Sequence, residues 1–288
     1  MHKEVLGVDI GGTNIKVGRV AKDNLVQKET IQVNSLETAS QTVERMFNVI
    51  DAVLTDSVES VGIGVPAVVD TETGIAYDVQ NIPSWKRIKL KEMVQQRYSL
   101  PVYINNDANC FVMGEHWFGK AKHYNNCIGL SIGTGLGMGI IINGELYEGV
   151  LCGAGEIGML AYKNSILEHY TGSFFFPNQY EKSAKALYNL AEVGDKEASE
   201  AFDDYGWHLG EALKNILYAY APEAIFLGGS ISQAYPYFKS TMEMALRTFA
   251  YPKQLEKTII ETSNLQDSAI LGAAALCLNQ RTHLNINT

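Results

Sequence analysis

No run of about eighteen uncharged apolar residues occurs in the 288-residue chain, which argues against a membrane-crossing helix. Cysteine is scarce: Cys110, Cys127, Cys152 and Cys277 stand alone, with no CxxC spacing. That argues against a disulfide framework and a thiolate zinc site, and suits a reducing cytoplasm. Met1 to Glu4 lead straight into a strand-like segment, so no signal peptide is expected. Positive charge is short: 23 Lys and Arg against 32 Asp and Glu leave a net charge of −9. Nucleic acid and acidic membranes are therefore poor partners, because phosphate binding by side chains needs clustered Lys and Arg. Backbone N–H groups and a metal ion still allow an acidic protein to hold a polyphosphate. No Gly/Ser-rich or Pro-rich linker divides the chain, so any domain boundary is compact. What remains, 46% hydrophobic and 19% charged, is a globular chain of one or two domains.

Val5 to Ile10, Ile15 to Val20 and Leu25 to Val33 read as an antiparallel meander turned at Gly11-Gly12-Thr13 and Lys22-Asp23-Asn24. A helix is expected over Leu36 to Leu54, with Val43, Met46, Phe47, Ile50 and Val53 along one face. Val61 to Val65 and Val102 to Ile104 look like buried strands, and Asp107 to Phe118 a helix. Further on, Ala201 to Tyr220 has the spacing of a long core helix. Strands are expected at Ala224 to Leu227 and Lys257 to Glu261, and an apolar helix at Ala269 to Cys277. Gly7-Val8-Asp9-Ile10-Gly11 lines up with Gly129-Leu130-Ser131-Ile132-Gly133 at an offset of 122 residues. This points to a duplication whose two glycine turns would face each other across a groove.

Asp9-Ile10-Gly11-Gly12-Thr13-Asn14-Ile15-Lys16 carries the sharpest chemistry. An Asp at a strand end can hold Mg²⁺ through its waters, glycines let backbone N–H groups approach phosphate oxygens, and Thr13 adds a hydroxyl. The alternative is a plain type I′ hairpin, which favours Gly-Gly. A second turn, Gly133-Thr134-Gly135, tips the balance towards a phosphate clamp. In Asn105-Asn106-Asp107-Ala108-Asn109, Asp107 is a candidate general base for an attacking hydroxyl; the competing reading makes Asn106 or Asp107 a helix N-cap. Glu156, between Gly155 and Ile157-Gly158, could hold vicinal hydroxyls or sit in a surface loop. Glu168, by itself, is an acid at a helix start.

Taken in order, these segments resemble the ROK family of bacterial sugar kinases and repressors, in the hexokinase/actin-like ATPase superfamily. Asp9 to Thr13 is similar to the family's first phosphate motif and Ile132 to Gly135 to its second. Gly62-Ile63-Gly64-Val65-Pro66 and Asn81-Ile82-Pro83-Ser84-Trp85 resemble its sugar-pocket loops. Asn106 to Asn109 resembles its catalytic segment, Gly155-Glu156-Ile157-Gly158 its sugar-binding Glu-x-Gly-His segment, and Leu227-Gly228-Gly229 its adenosine loop. The resemblance implies a duplicated, two-lobed α/β actin-like ATPase fold of the ribonuclease H type. Its first lobe would be 1–118 completed by about 269–288, and its second 119–268. It implies Asp107 as base and Asn81, Asn106, Glu156 and Glu168 as sugar ligands. ATP would lie against Asp9, Gly11, Gly12, Thr13, Lys16, Gly133, Thr134, Gly135, Gly228 and Gly229, with Mg²⁺ held by Asp9 through water.

Two departures bear on specificity. Met159 stands where the family usually has a histidine that bears on sugar and zinc, and the cysteine-rich zinc loop is cut to Ala161-Tyr162-Lys163-Asn164-Ser165-Ile166. The resemblance therefore implies no zinc and a pocket altered near the sugar's C1 and C2, as suits O6 phosphorylation of glucose or of a β-glucoside. N-acetylmannosamine or another hexose is the alternative substrate. A sugar-binding regulator without kinase activity is the alternative class; the first motif begins at Asp9, which leaves no room ahead of it for a DNA-binding region. Family members are often dimers, and a homodimer is expected on that ground alone.

Overall fold

The computed structural model describes residues 4–80 and 82–286, and the side chains as far as residue 279. The chain falls into two compact units. The first runs up to His123 and adds Leu146–Ala154 and the chain from Asn264 on; the second is Tyr124–Glu145 and Gly155–Ser263. The excursion of 146–154 into the first unit was not part of the expected division at 118/119 and 268/269. It follows from side-chain ties between this segment and the strand before Asp107, described below.

In the first unit, β1 (Glu4–Ile10), β2 (Asn14–Ala21) and β3 (Asn24–Gln32) form the meander. Helix α1 (Ala39–Val53) then leads to β4 (Val58–Val65). The helix starts three residues later than its apolar pattern suggests, because Thr38 and Gln41 form a capping box: the Gln41 side chain accepts from Thr38 N–H at 2.9 Å and Gln41 N–H donates to Thr38 Oγ1 at 3.4 Å. Three short strands, β5 (Val68–Asp70), β6 (Ile75–Tyr77) and β7 (Arg87–Ile88), make a side sheet. Helix α2 (Leu90–Tyr98), strand β8 (Val102–Asn106) and helix α3 (Asp107–Phe118) follow. The main sheet has the order β3-β2-β1-β4-β8, with β1, β4 and β8 parallel. Val5 to Ile10 and Ser60 to Val65 are buried without alternation, the signature of strands covered on both faces. Helix α10 (Ser268–Ile286) lies on β1 and β4 and against α3.

The second unit repeats the plan. Strands β9 (Cys127–Ile132), β10 (Leu136–Ile142) and β11 (Glu145–Leu146) form its meander. A small hairpin of β12 (Ala161–Tyr162) and β13 (Ser165–Ile166) precedes α4 (Glu168–Thr171), α5 (Phe175–Tyr180), α6 (Ala184–Glu192) and α7 (Lys196–Tyr220). Strand β14 (Ala224–Gly228), helices α8 (Tyr235–Leu246) and α9 (Pro252–Leu255) and strand β15 (Ile259–Thr262) complete it. The sheet order is β11-β10-β9-β14-β15, with β9, β14 and β15 parallel, strand for strand the order of the first sheet. The duplication expected from the 122-residue offset is thus present in topology. The offset changes at the turn: Ile10 pairs with Ile15, but Ile132 pairs with Leu136, so the second turn is one residue shorter. The expected strand at 257–261 starts two residues later and ends one residue later, and α7 extends the expected helix back to Lys196, where Asp195 caps it.

Candidate active site

In each unit the turn candidates and Asp107 lie at the carboxyl ends of parallel strands, Asp9 to Thr13 at the end of β1, Asp107 after β8, Gly133 to Gly135 after β9 and Gly228-Gly229 at the end of β14, the edge at which open α/β sheets bind ligands. In the first unit, β1 ends in Asp9-Ile10 and runs into the turn at 11–13. Gly11 N–H donates to Asn14 C=O at 2.8 Å, and neither Gly11 nor Gly12 has a positive φ. A type I′ turn requires positive φ at both central residues, so that alternative is excluded. Thr13 is exposed. Asp9 is nearly buried and pairs across the strands with Lys16, whose Nζ lies 3.2 Å from Asp9 Oδ2. Burial raises the Asp9 pKa, and the Lys16 charge opposes that rise.

Two strands along the same edge, roughly 10 Å away by strand spacing, β8 ends in Asn106 and α3 begins at Asp107. Asn106 is the N-cap: its side-chain oxygen accepts from Asn109 N–H at 2.7 Å, and its amide donates to Cys152 C=O at 2.9 Å. The cap is therefore Asn106 alone, and Asp107 occupies the first helical position with an exposed side chain, Oδ1 accepting from Ala108 N–H at 2.9 Å. Each amide atom of Asn106 has one further hydrogen-bonding valence, which is what a sugar hydroxyl would need.

Four supporting residues, Asn105, Glu148, Thr71 and Cys152, were not among the candidate site residues. Asn105 accepts from Asn106 N–H and from Asn109 Nδ2, both at 2.9 Å, and donates to Glu148 Oε1 at 2.5 Å. Glu148 Oε2 also accepts from Thr71 at 3.4 Å. Glu148 and Cys152 belong to the excursion 146–154, so this segment clamps the strand end that presents Asp107. No motif spacing announces it, since the partners are 43 and 46 positions apart. Burial raises the Cys110 thiol well above its usual range, with Asp107 and Asp9 both adding to the rise. Cys152 is pushed up to about 12 by burial and then by Glu148. Neither thiol is a nucleophile.

In the second unit, Gly133 N–H donates to Gly135 C=O at 3.1 Å and Thr134 is exposed, as Thr13 is in the first turn. Beside it β14 ends in Gly228. Gly229 has φ +85°, and a β-carbon there would stand 2.3 Å from Ile132 C=O, so both backbone and packing demand glycine. Gly155, at φ +95°, is likewise pressed on Met138 C=O, and it turns the chain into Glu156. Glu156 is exposed, and partial burial and the charge of Glu168 raise its pKa. Glu168 accepts from Leu136 N–H through Oε2 at 3.0 Å, so it is more than an acid at a helix start. Met159 is exposed. Asn81 lies outside the described residues.

The sequence profile of the ROK family matches residues 5–280. The chain belongs to the ROK family. It is similar to the glucokinase of Thermotoga maritima, at 28% identity over 95% of this chain and 96% of that protein. It is also similar to the β-glucoside kinase of Listeria monocytogenes, at 29% identity over 94% and 96%. Among solved structures, a ROK family glucokinase from Streptomyces griseus in complex with glucose and AMPPNP superposes with a TM-score of 0.81, at 25% identity over 95% of this chain and 98% of that one. The fold is the actin-like ATPase fold of ROK hexokinases.

Among the described residues no group of three or more His, Cys, Asp or Glu could hold a metal ion directly, and no helix is long and apolar enough to cross a membrane. A magnesium ion held through water needs no such cage. The hard carboxylate of Asp9, already paired with the Lys16 ammonium, is a donor of the right type and sits where a cation is tolerated.

The hairpin segment 161–166 is held by side chains. Tyr162 OH meets Nδ1 of buried His208 at 3.0 Å, and Lys163 Nζ and Asp204 Oδ1 each lie 3.4 Å from Nε2. The Tyr170 and Phe175 rings pack edge-on against the imidazole. Burial, then the Lys163 charge, lowers the His208 pKa against the pull of Asp204 and Glu211. The folded chain therefore resists a proton that the unfolded chain accepts near 6.5. Stability from this group is present above that pH and is lost as pH falls below it. The thermal midpoint should drop between pH 7 and pH 5.5, and His208→Gln should flatten that slope. An unchanged slope in the variant would acquit His208.

Proposed function

We propose that the chain is an ATP-dependent sugar kinase acting on a hexose or hexoside hydroxyl, with O6 of glucose or of a β-glucoside as first choice and N-acetylmannosamine or another hexose as the alternative. The observation that carries the reading is Asp107, exposed at the head of α3, on the strand-end edge that also bears Asp9 and the first glycine turn. The glucokinase and β-glucoside kinase relatives support the same substrate class.

In this reading the turns Gly11, Gly12, Thr13 and Gly133, Thr134, Gly135 bind the phosphates of ATP through the threonine hydroxyls and the backbone N–H groups not bonded within each turn, Lys16 adds charge, and Gly228-Gly229 borders the adenosine. A magnesium ion near Asp9 would neutralise phosphate charge. Asn81, Asn106, Glu156 and Glu168 hold sugar hydroxyls. Asp107 accepts the proton from the attacking hydroxyl, and the Asn105–Asn106–Glu148 network keeps its carboxylate in place while it does so. Exclusion of water directs the phosphoryl group to the sugar and away from hydrolysis.

ADP release should be measured with glucose, cellobiose, an aryl β-glucoside and N-acetylmannosamine. The expected result is release that depends on one of the sugars, faster with cellobiose or the aryl glucoside than with N-acetylmannosamine. Sugar binding without ADP release across the panel would make the chain a regulator and overturn the kinase reading.

A further inference from the structure

The helix α4 braces the second glycine turn at both of its ends. At one end, Glu168 Oε2 accepts from Leu136 N–H, the first backbone donor after the turn, at 3.0 Å. At the other, Ser173 N–H donates to Gly133 C=O at 2.8 Å and is shared with Thr134 C=O at 3.3 Å. Three glycines from three separate segments make room for this arrangement. A β-carbon on Gly135 would stand 2.3 Å from Glu168 Oε2. One on Gly172 would stand 2.7 Å from Thr134 C=O and 3.2 Å from Gly135 Cα, and one on Gly158 3.3 Å from the Glu168 Cβ. The brace is itself anchored: Tyr205 OH, fully buried on the long helix α7, donates to Thr171 C=O at 2.9 Å, and Thr171 is also fully buried. Glu168 thus sits on a rigid support and reaches the loop that the kinase reading assigns to ATP.

Glu156 is a carboxylate neighbour of Glu168: burial first, and then the Glu168 charge, raise the Glu156 pKa. Two carboxylates near one another are a site that hydroxyl groups stabilise, because each O–H brings a donor to a charged acceptor. A sugar hydroxyl on Glu168 would compete for, or polarise, the same carboxylate that holds Leu136 N–H.

We propose that Glu168 is a bridging residue, shared between the sugar and the second phosphate turn, so that occupancy of the sugar site sets the conformation and nucleotide affinity of the turn at 133–136. This rests on the kinase reading. The coupling is reciprocal by linkage: whatever factor the sugar lends to nucleotide affinity, the nucleotide lends to sugar affinity. The functional gain is that the turn reaches its tight-binding state only with an acceptor present, which limits hydrolysis of ATP by water.

The test is equilibrium titration of AMPPNP with magnesium, without sugar and with whichever of the four panel sugars drives ADP release. The wild-type dissociation constant for AMPPNP should fall about fivefold or more when the sugar is saturating, within the usual range of coupling between sites. Glu168→Ala removes both bonds and should weaken AMPPNP about tenfold without sugar, weaken sugar binding by a similar factor, and abolish the coupling. Glu168→Gln still accepts from Leu136 N–H; it should keep AMPPNP affinity within about twofold and lose most of the sugar affinity and the coupling. The Gln variant carries the test if the Ala variant does not fold. Loss of sugar affinity alone in Glu168→Ala, loss of nucleotide affinity alone, or wild-type coupling retained in Glu168→Gln would each overturn the bridge. No AMPPNP binding by the wild-type chain would instead overturn the kinase reading.

Discussion

Asp107→Asn should fold as the wild type does and lose sugar-dependent turnover by about two to four orders of magnitude, the usual contribution of a positioned general base. The structural part of that expectation rests on the division of labour at the head of α3. Asn106 supplies the cap through its bond from Asn109 N–H, and it is tied to Cys152 C=O, so neither feature depends on the Asp107 side chain. The bond that Asp107 accepts from Ala108 N–H remains available to the asparagine carbonyl oxygen. The variant therefore changes a basic carboxylate into a neutral amide of the same shape. Turnover should fall through kcat, with AMPPNP affinity and thermal midpoint close to wild type. The comparison with Asn106→Ala separates the roles. That change removes the cap and the tie to Cys152, so it should cost about 1 kcal/mol or more of stability as well as activity. Asp107→Asn with near-normal kcat would remove the base assignment; a large drop in midpoint would mean that Asp107 holds the fold rather than the reaction.

The parts of this site that were legible in the sequence are those built from consecutive residues. The two turns announce themselves because a strand of alternating or continuous apolar residues, then glycines and a threonine, then another strand, is a local pattern in each copy. The pairing of Asp9 with Lys16 follows from the same hairpin once its register is known. The capping box at Thr38 and Gln41 was also readable, yet the apolar pattern alone placed the helix start at Leu36, which is 91% exposed and contributes nothing to the buried face. What was not legible is made between distant segments. Glu148 reaches Asn105 across 43 positions, and Glu168 reaches Leu136 across 32. Neither carboxylate differs in its local sequence from a solvated loop acid; it is the excursion of 146–154 into the first unit, and the three glycines around Glu168, that give each a partner. The His208 cluster is similar: a single histidine on a core helix reads as packing until the hairpin 161–166 brings Tyr162 and Lys163 to its two nitrogens.

The edge that carries Asp9 and Asp107 depends on how closely α10 lies on the sheet, and this yields the largest expected effect on stability. Gly7 on β1 and Gly62 on β4 are paired neighbours, and α10 rests its backbone on them. A β-carbon on Gly62 would stand 1.8 Å from Ala273 C=O, and one on Gly7 2.0 Å from Ile270 C=O. On the other side of the helix, a β-carbon on Gly272 would stand 1.9 Å from Cys110 C=O in α3. The obstacle in each case is backbone, which no rotamer change can move aside, so α10 must lift from β1 and β4 or the strands must bend. Gly62→Ala should therefore cost about 3 kcal/mol or more, at the upper end of overpacking effects. That corresponds to a fall in thermal midpoint on the order of 10 °C. Gly18→Ala is the graded control. It lies on β2 beside Gly7, but a β-carbon there would meet Leu25 Cδ1 at 2.5 Å and Ile270 Cγ2 at 2.6 Å, the ends of side chains that can turn away, while the nearest backbone atom, the Gln27 C=O oxygen, stands at 3.4 Å. Its cost should be about 1 kcal/mol. Equal losses in the two variants, or a Gly62→Ala midpoint within experimental error of wild type, would show that α10 does not bear on the sheet as closely as these distances require. If the order holds, lifting α10 should also loosen α3 at Gly114, where a β-carbon would stand 2.9 Å from Ser268 C=O, and so reach Asp107 from behind. If Asp107 is the base and Asn106 a sugar ligand, as proposed, kcat and sugar affinity in Gly62→Ala, measured well below its midpoint, should then both fall, because both residues stand at the head of α3.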